Sequence, residues 1–434
     1  MRLILSTALT LMVGNMFQQM YTIVDASVVG RGIGLKALAA LGSADWFNWL
    51  FFSIVIGFAQ GFSIPVAQAF GAKDYDELRR NVGNATSLGL LTAAAITAIA
   101  LLVATPVLNT MGTPDEVRPM AAAYLRVLFS GIPIVMGYNL LSGILRALGD
   151  SRSPLLAMVL SSLINILLDC LFVFVFHLGI IGAAMASLLA QLVSFLYCLY
   201  AVSRIEFVTI TKQDWQFDFH KIKSMLLFGI PICFQYVVVT MGGMILQSSI
   251  NTQGSIFIAG YTATNKLYGF LQCFATSIGQ ATCTFVSQNY GAGLGQRVRQ
   301  GVVDSVKIIM IMAFAIIAAT LLVKSQLLGV FLDVSKPEGI QAVEISVRYL
   351  TIMVLAFPIL HILYIFRNVL QAFGIAIWSL MSGFAELAAR ILMSKFLINL
   401  IGVDALFLSE PASWFGAMLC VFLPYFYYRK KLLR

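Results

Sequence analysis

The sequence predicts an all-α polytopic membrane protein with twelve transmembrane helices in two six-helix bundles related by a parallel internal repeat. Composition carries the first half of this prediction. Hydrophobic residues make up 60% of the 434-residue chain and charged residues only 11%, whereas about a quarter of the residues in a soluble protein are charged. The apolar residues also form continuous runs of membrane-spanning length, which indicates helices rather than a β-barrel.

Twelve apolar runs are long enough to cross a bilayer as helices, which takes about 20 residues each. The longest polar connection, 204–223, separates six runs from six. We therefore predict an N-terminal lobe at 1–203, a cytoplasmic linker at 204–223 and a C-terminal lobe at 224–434. The predicted spans, in chain order, are 4–29, 41–69, 82–110, 120–145, 155–176, 183–203, 224–250, 258–288, 301–329, 342–366, 378–400 and 412–428.

Basic residues concentrate in alternate loops, and this asymmetry predicts how the helices are oriented. Cytoplasmic loops carry the excess of Lys and Arg, so both termini are expected in the cytoplasm. The net charge of +9 follows from this distribution and does not indicate nucleic-acid binding. The richer set includes Lys73, Arg79, Arg146, Arg204, Arg297, Arg367 and Arg429, and the poorer set is Arg31, Lys36, Arg118, Lys324 and Lys336.

Short sequence patterns recur about 220–225 residues apart, which predicts the internal repeat. A parallel repeat of this kind places a substrate cavity between the two lobes, near the middle of the membrane. Gly71 and Gly291 are expected to take left-handed backbone geometry where their helices end. The recurring pairs are Ala67-Gln68-x-x-Gly71-Ala72 with Ser287-Gln288-x-x-Gly291-Ala292, Tyr124-Leu125 with Tyr349-Leu350, Pro133 with Pro358, and Gly149 with Gly374.

Four polar residues inside apolar runs of the first half form a candidate cation-binding site: Asp25, Asn165, Asp169 and Ser187. A carboxylate at mid-membrane costs roughly 2.5–3.5 kcal/mol on insertion scales, so it indicates a function. Asn165 and Asp169 share one helix face, and Asp25, Asp169 and Ser187 fall at similar depth in the outer third of the bilayer. Their oxygens suit Na⁺, held at Asp25, Asn165 and Asp169, or a proton. The alternative is a polar cluster that only stabilises helix packing.

Further residues of the first half are candidates for the substrate cavity. Gln18 and Tyr21 follow a polar stripe that ends at Asp25. Asp45, which the prediction places at the start of the second span beside Trp46, either attracts a lipophilic cation or belongs to an interfacial aromatic belt.

Two more pairs of residues carry the same double interpretation. Tyr138 and Asn139 either line the cavity or make ordinary hydrogen bonds between helices. In the second half, Arg390 stands at the repeat position of Asn165. Glu386 is spaced for an ion pair with it, which is either a structural bridge or part of substrate binding.

The chain resembles the multidrug and toxic compound extrusion (MATE) transporters across nearly its whole length. The resemblance implies export of amphipathic, often cationic compounds in exchange for inward Na⁺ or H⁺, with the coupling cation at Asp25, Asn165, Asp169 and Ser187. One departure is Thr10, where family members often carry a proline. The matching stretches include Gly14-Asn15-x-Phe17-Gln18-Gln19-x-Tyr21, Pro65-x-Ala67-Gln68, Asn165-x-x-x-Asp169, Gln288-Asn289-x-Gly291-Ala292, Phe366-Arg367-Asn368 and Glu386-x-x-x-Arg390.

We therefore expect a monomeric secondary antiporter of small amphipathic molecules that works by alternating access and uses no cofactor beyond its coupling ion. An enzyme is disfavoured, because three histidines without a catalytic cluster and short loops leave no active site. An ATP-driven pump is disfavoured because the chain has no G-x-x-x-x-G-K-[ST] loop. The remaining alternative is a flippase for lipid-linked precursors or an exporter of one metabolite.

Overall fold

A computed structural model describes residues 2–110, 115–209, 211, 214–329, 332 and 337–432, so Lys336 lies outside the described residues. Within these ranges the backbone forms twelve successive long helical segments and two short 3₁₀ helices, Glu206–Val208 and Asn251–Gln253, and no strand occurs in them. The segments are α1 Arg2–Gly32, α2 Leu35–Ala72, α3 Tyr75–Thr110, α4 Arg118–Ser130 with Ile132–Ala147, α5 Arg152–Cys170 with Leu171–Val175, α6 Gly179–Ser203, α7 Phe219–Ile250, α8 Ser255–Gly291, α9 Gly295–Gly329, α10 Pro337–Leu355 with Phe357–Ala372, α11 Ile377–Ile391 with Leu392–Leu397 and Ile398–Ile401, and α12 Asp404–Leu432.

The twelve segments correspond one to one with the twelve predicted spans. Among the described residues, seven helices are long and apolar enough to cross a membrane. The number rises to nine when each of two bent helix pairs is counted as one span. The other three segments, α1, α8 and α11, complete the set of twelve. The bilayer dictates this part of the fold, because a chain in lipid must satisfy its backbone hydrogen bonds within each helix.

Two boundary predictions were wrong. The last span was predicted to start at 412, but α12 begins at Asp404 and continues through Pro411. Arg367 was assigned to a loop, but α10 extends to Ala372 and buries this residue at 6% exposure. Both errors hid charged residues inside helices, where each charge needs a partner.

Two local predictions also fail. Asp45 does not begin the second span, because α2 starts ten residues earlier at Leu35. Gly71 and Gly291 lie within helices, and the left-handed residues are instead Lys73 (φ 58°) and Gly293 (φ 70°), which follow those helices. The sequence pattern located the turns correctly but assigned the left-handed residue two positions too early.

Left-handed residues show that the internal repeat extends to backbone geometry. Four pairs of positive-φ residues recur 220–225 residues apart, each in or at the edge of a connection between helical segments: Gly34 with Gly254, Lys73 with Gly293, Gly149 with Gly374, and Gly179 with Gly402. Glycine populates this region without the steric cost that a Cβ adds. The two halves therefore share their turns as well as their helix order.

The irregularities of the helices repeat too. The fourth helix of each half is bent, by 45° at α4 and 48° at α10, and a proline follows each break at Pro133 and Pro358. The fifth helix of each half contains a π-helical turn, Leu171–Val175 in α5 and Leu392–Leu397 in α11. Such turns are rare and often mark functional sites.

The Cα positions divide the chain into two compact units. The first unit comprises Val13–Cys233 with Gly291–Gly293. The second unit comprises Met1–Met12, Phe234–Tyr290 and Leu294–Arg434. The core of the first unit is apolar along all its helices, with Phe62, Leu78, Leu125 and Ile144 fully buried. In the second unit, Trp414, Tyr349 and Phe357 are the largest fully buried side chains.

The connection between α6 and α7 docks onto the start of α3. The side chain of Asn84, only 2% exposed, donates to the carbonyl of Gln216 at 3.3 Å and accepts from the backbone N–H of Asp218 at 3.0 Å. Lys221 forms an ion pair with Glu77 of α3. Side chains of α3 therefore hold the end of the connection and the start of α7.

Asp214 stabilises the bend in this connection. The hydroxyl of Thr211 donates to its carboxylate at 2.7 Å and the Thr211 backbone N–H donates at 2.8 Å. Mainly because of the hydroxyl contact, the pKa of Asp214 lies below its usual value. The turn gains stability from the ionised form, and this contribution is lost only as the pH falls through the lowered pKa.

We expect Asn84→Ala to release the docked connection. The substitution leaves the backbone groups of Gln216 and Asp218 without their partner, at a cost of about 1–3 kcal/mol. Limited trypsin digestion should therefore cleave between α6 and α7 several times faster than in the wild type. Gln216→Ala is the matched control, because the exposed Gln216 contributes only its carbonyl oxygen and its substitution should leave the rate unchanged. Equal cleavage rates of the wild type and both variants would show that the Asn84 hydrogen bonds do not hold the connection in place.

Candidate cation-binding site

Three helices of the first unit bring the predicted site residues to the same level. Asp25 lies seven residues before the end of α1, Asp169 six before the end of the π turn in α5, and Ser187 eight after the start of α6. At about 1.5 Å per residue these depths agree within roughly 3 Å. The end of α1 also lies beside the π turn of α5, where Gly32 approaches Val173 and Phe174. The similar residue counts of Asp25 and Asp169 from these ends therefore correspond to neighbouring positions in space.

Close packing of α1 against α5 carries Asp25 towards Asp169. Gly14 leaves room for the side chain of Met158, since a Cβ there would lie 3.0 Å from the Met158 sulfur. Gly32, at the other end of α1, approaches Val173 and Phe174 of the π turn. Glycines at both ends thus let the two helices approach along their length, and Asp25 and Asp169 interact electrostatically.

The third element, α6, joins through a direct contact. The Asn165 amide nitrogen donates to the Ser187 hydroxyl at 3.4 Å. Asn165 and Asp169 lie one turn apart on α5 and are 2% and 0% exposed. The structure therefore brings together all four residues of the predicted set.

Four buried oxygens of this cluster have no hydrogen-bond partner within the described residues. These unpartnered buried atoms are Asp25 Oδ1, Asn165 Oδ1, and Asp169 Oδ1 and Oδ2. An unsatisfied buried acceptor costs about 1–3 kcal/mol and more when it is charged, so a bare cluster of this kind is unfavourable. The donor set fits a hard monovalent cation or protons. Across the described ranges, no three His, Cys, Asp or Glu side chains converge on a metal-binding group.

Other candidate residues surround the cluster to different degrees. Tyr21 interacts with Gln18 and lies within electrostatic range of Asp25 and Asp169. Asp45, exposed on α2, interacts electrostatically with Asp25. The polar stripe of α1 and Asp45 are therefore neighbours of the cluster.

Tyr138 and Asn139 both belong to the second part of α4, Ile132–Ala147. Tyr138 is buried in α4 at 8% exposure. The Asn139 amide donates to the Val135 carbonyl of its own helix at 2.8 Å. The Asn139 bond therefore lies within one helix rather than between helices.

Two neighbours of the cluster were missed in the sequence. Tyr124 of α4, noted only as a landmark of the repeat, is 5% exposed and interacts with Asp25 and Asp169. Gln191, one turn beyond Ser187 on α6, has a buried side-chain oxygen without a partner. An amide one turn from Ser187 in an apolar run was the available signal for Gln191.

The second unit contains a different arrangement, built from four paired charges. Arg367 of α10 forms an ion pair with Glu386 of α11, and Arg390 lies 3.4 Å from the same carboxylate. Arg390 also binds Glu410 of α12, with its Nη2 2.9 Å from Oε2. The predicted Glu386–Arg390 pair is confirmed, and the partners Arg367 and Glu410 enlarge it. The four side chains are 4–12% exposed.

Twelve membrane-length helices in two repeated sets, with a buried acidic cluster in one unit, define a polytopic membrane transporter. The chain belongs to the MatE family, whose model matches residues 11–171 and 231–404. The probable multidrug resistance protein YoeA of Bacillus subtilis is 27% identical over 436 residues, which is 97% of this chain and 92% of that protein. A FAD transporter of Shewanella oneidensis is 23% identical over 423 residues, which is 94% of this chain and 91% of that protein.

Solved structures agree on the fold. The outward-facing structure of a multidrug resistance MATE family transporter superimposes with a TM-score of 0.91 and 23% sequence identity, covering 99% of this chain and 96% of that one. At this identity the likeness concerns the fold. Together with the family match, it confirms the resemblance inferred from the sequence motifs.

Proposed function

We propose that this protein is a secondary antiporter that exports amphipathic, often cationic compounds in exchange for H⁺ or Na⁺. The observation that carries the proposal is the set of buried oxygens without partners at Asp25, Asn165 and Asp169. Buried carboxylates are stable only when a cation or protons compensate them. A site that must be filled, yet has no built-in partner, suits an ion that binds and leaves in each cycle.

The four residues would act in distinct ways. Asp25 and Asp169 supply negative charge from two helices, so cation binding would favour the packing of α1 against α5. The Asn165 oxygen and the Ser187 hydroxyl complete an all-oxygen shell. Ion binding neutralises the cluster, removes its attraction for a cationic substrate and favours substrate release, after which the two lobes exchange access.

The lobe boundaries, the membrane orientation and the oligomeric state of the protein are part of the same proposal. We propose lobes at 1–203 and 224–434, both termini on the cytoplasmic side of a bacterial inner membrane, and a monomer as the working unit. The distribution of basic loops supports the orientation.

The test is efflux of ethidium from proteoliposomes under an imposed pH or sodium gradient. Efflux that follows one gradient would establish antiport and identify the coupling ion. Ethidium efflux that ignores both gradients, from folded protein, would overturn the ion-coupled part of the proposal. Absence of any ethidium efflux would overturn the multidrug part.

A second candidate function is export of one metabolite. The full-length similarity to a FAD transporter is the observation that favours it. Loading the same liposomes with FAD distinguishes the two, because a dedicated exporter would move FAD under a gradient that leaves ethidium in place. A lipid-precursor flippase is the remaining alternative, and the acidic and amide character of the first unit's buried polar residues argues against it.

A further inference from the structure

In the second unit the guanidinium group of Arg390 is surrounded by oxygen atoms. Glu410 contributes both carboxylate oxygens, 3.2 Å from Nε and 2.9 Å from Nη2. The Val239 carbonyl accepts from Nη1 at 3.1 Å, and Glu386 Oε2 lies 3.4 Å from Nη2. Two carboxylates and one carbonyl form the kind of shell that hard cations prefer.

Gly242 of α7 leaves space for this group. A Cβ at position 242 would lie 3.0 Å from Nη1 and 3.2 Å from Cδ of Arg390. That approach is tight enough to displace the guanidinium. The absence of a side chain at Gly242 therefore leaves room for the guanidinium group inside the shell.

The internal repeat relates this shell to the candidate cation site of the first unit. In the first unit Asn165 of the fifth helix contacts Ser187 of the sixth. In the second unit Arg390 of the fifth helix contacts Glu410 of the sixth, at positions 225 and 223 residues further along. A π-helical turn follows in both fifth helices. The fifth and sixth helices of each unit thus make a contact at equivalent positions. In the first unit this contact contains no positively charged side chain, and in the second unit it contains Arg390.

We propose that Arg390 is a covalently attached cation that fills the second unit's counterpart of the exchangeable cation site. The two arginines and two glutamates there balance each other, so this unit needs no mobile ion. In the first unit, Asp25 Oδ1 and both carboxylate oxygens of Asp169 have no hydrogen-bond partner among the described residues, so of these two sites it is the one that a mobile ion can fill. The inference about the shell stands on the contacts of the second unit. Its consequence, that ions exchange in one lobe alone, rests on the proposed function.

Removal of Arg390 tests the proposal directly. Arg390→Ala leaves Glu386, Glu410 and the Val239 carbonyl around an empty space with one negative charge in excess. Full-length protein purified in detergent should melt at a lower temperature than wild type, and low-millimolar guanidinium chloride should raise the melting temperature on the order of several degrees. Tetramethylammonium chloride at the same concentration has no N–H donors and should not do so.

Arg348→Ala is the matched control. Arg348 also belongs to the second unit and pairs with Asp404 at 2.7 Å, but its side chain is 58% exposed. Water replaces an exposed partner, so neither this variant nor the wild type should respond to guanidinium. If Arg390→Ala is folded but insensitive to guanidinium, Na⁺ and K⁺, the proposal is wrong.

A second variant covers the case in which Arg390→Ala does not fold. Arg390→Met combined with Glu410→Gln removes one charge of each sign, so it should fold without any cation dependence. Recovery of Arg390→Ala only when guanidinium is present throughout purification would support the proposal. Failure to recover it even then, while the double variant folds, would overturn it. These measurements require no transport, so a failed ethidium assay would count against the proposed function and not against this inference.

Discussion

Replacement of Asp169 by asparagine is expected to abolish ion-driven efflux while leaving the protein folded. Asparagine keeps the size and most of the hydrogen-bonding capacity of the side chain but removes its charge. At an effective dielectric constant of about 20, a carboxylate contributes roughly 4 kcal/mol to binding a cation at about 4 Å. The affinity for the coupling ion should therefore fall by about a hundredfold or more, and the efflux rate under the driving gradient should fall with it.

The measurement is the initial rate of ethidium efflux in proteoliposomes containing equal amounts of reconstituted protein. Asp76→Asn is a matched control, because Asp76 is an exposed carboxylate of the same unit that pairs with neighbouring Arg79. Asp25→Asn should reproduce the Asp169 phenotype, and the double variant should lose little more, because both residues serve one site. Wild-type rates in both single variants at every ion concentration would show that the cluster is structural.

The second large effect is expected from Glu386→Gln. Glu386 is 4% exposed and lies between Arg367 and Arg390, so its neutralisation leaves the second unit with a buried positive charge in excess. Breaking a buried ion pair from one side costs about 3–5 kcal/mol. The melting temperature of the purified protein should fall by roughly 5–10 °C. Glu344→Gln, on the exposed side of α10, should leave it unchanged.

A charge-balanced variant distinguishes destabilisation by an uncompensated charge from destabilisation by altered side-chain packing. Arg367→Gln added to Glu386→Gln removes the positive charge that the first substitution leaves uncompensated. We expect the double variant to recover most of the melting temperature, although each single variant is destabilised. If the decreases in melting temperature of the two single variants simply add in the double variant, Arg367 and Glu386 do not stabilise each other. The explanation by charge compensation would then be incorrect.

The four residues of the candidate cation site could be predicted because their signals are local. A carboxylate in an apolar run is visible in the sequence, and counting residues from each helix end gives its depth. Asn165 and Asp169 are one turn apart by helical geometry alone. The Ser187 contact followed from matched depth on the neighbouring helix, and the structure places its hydroxyl 3.4 Å from Asn165.

The partners of Arg390 could not be predicted in the same way. Glu410 lies 20 residues further along the chain, on another helix, and the apolar pattern placed it outside the last span. Arg367 was hidden by a helix end predicted too early. Within the predicted spans Glu386 and Arg390 balance each other, so charge balance did not indicate a missing partner.

By itself, the sequence determined the number and order of the helices, the places of their turns and the internal repeat. These properties are local, because a bilayer requires apolar helices of fixed length and turns require particular residues. Only the tertiary structure decided which partners two buried polar side chains find: Arg390 with Glu410, and Asn84 with the connection between α6 and α7. These pairings depend on how each helix is rotated and how closely glycines let it pack, and no single segment encodes either.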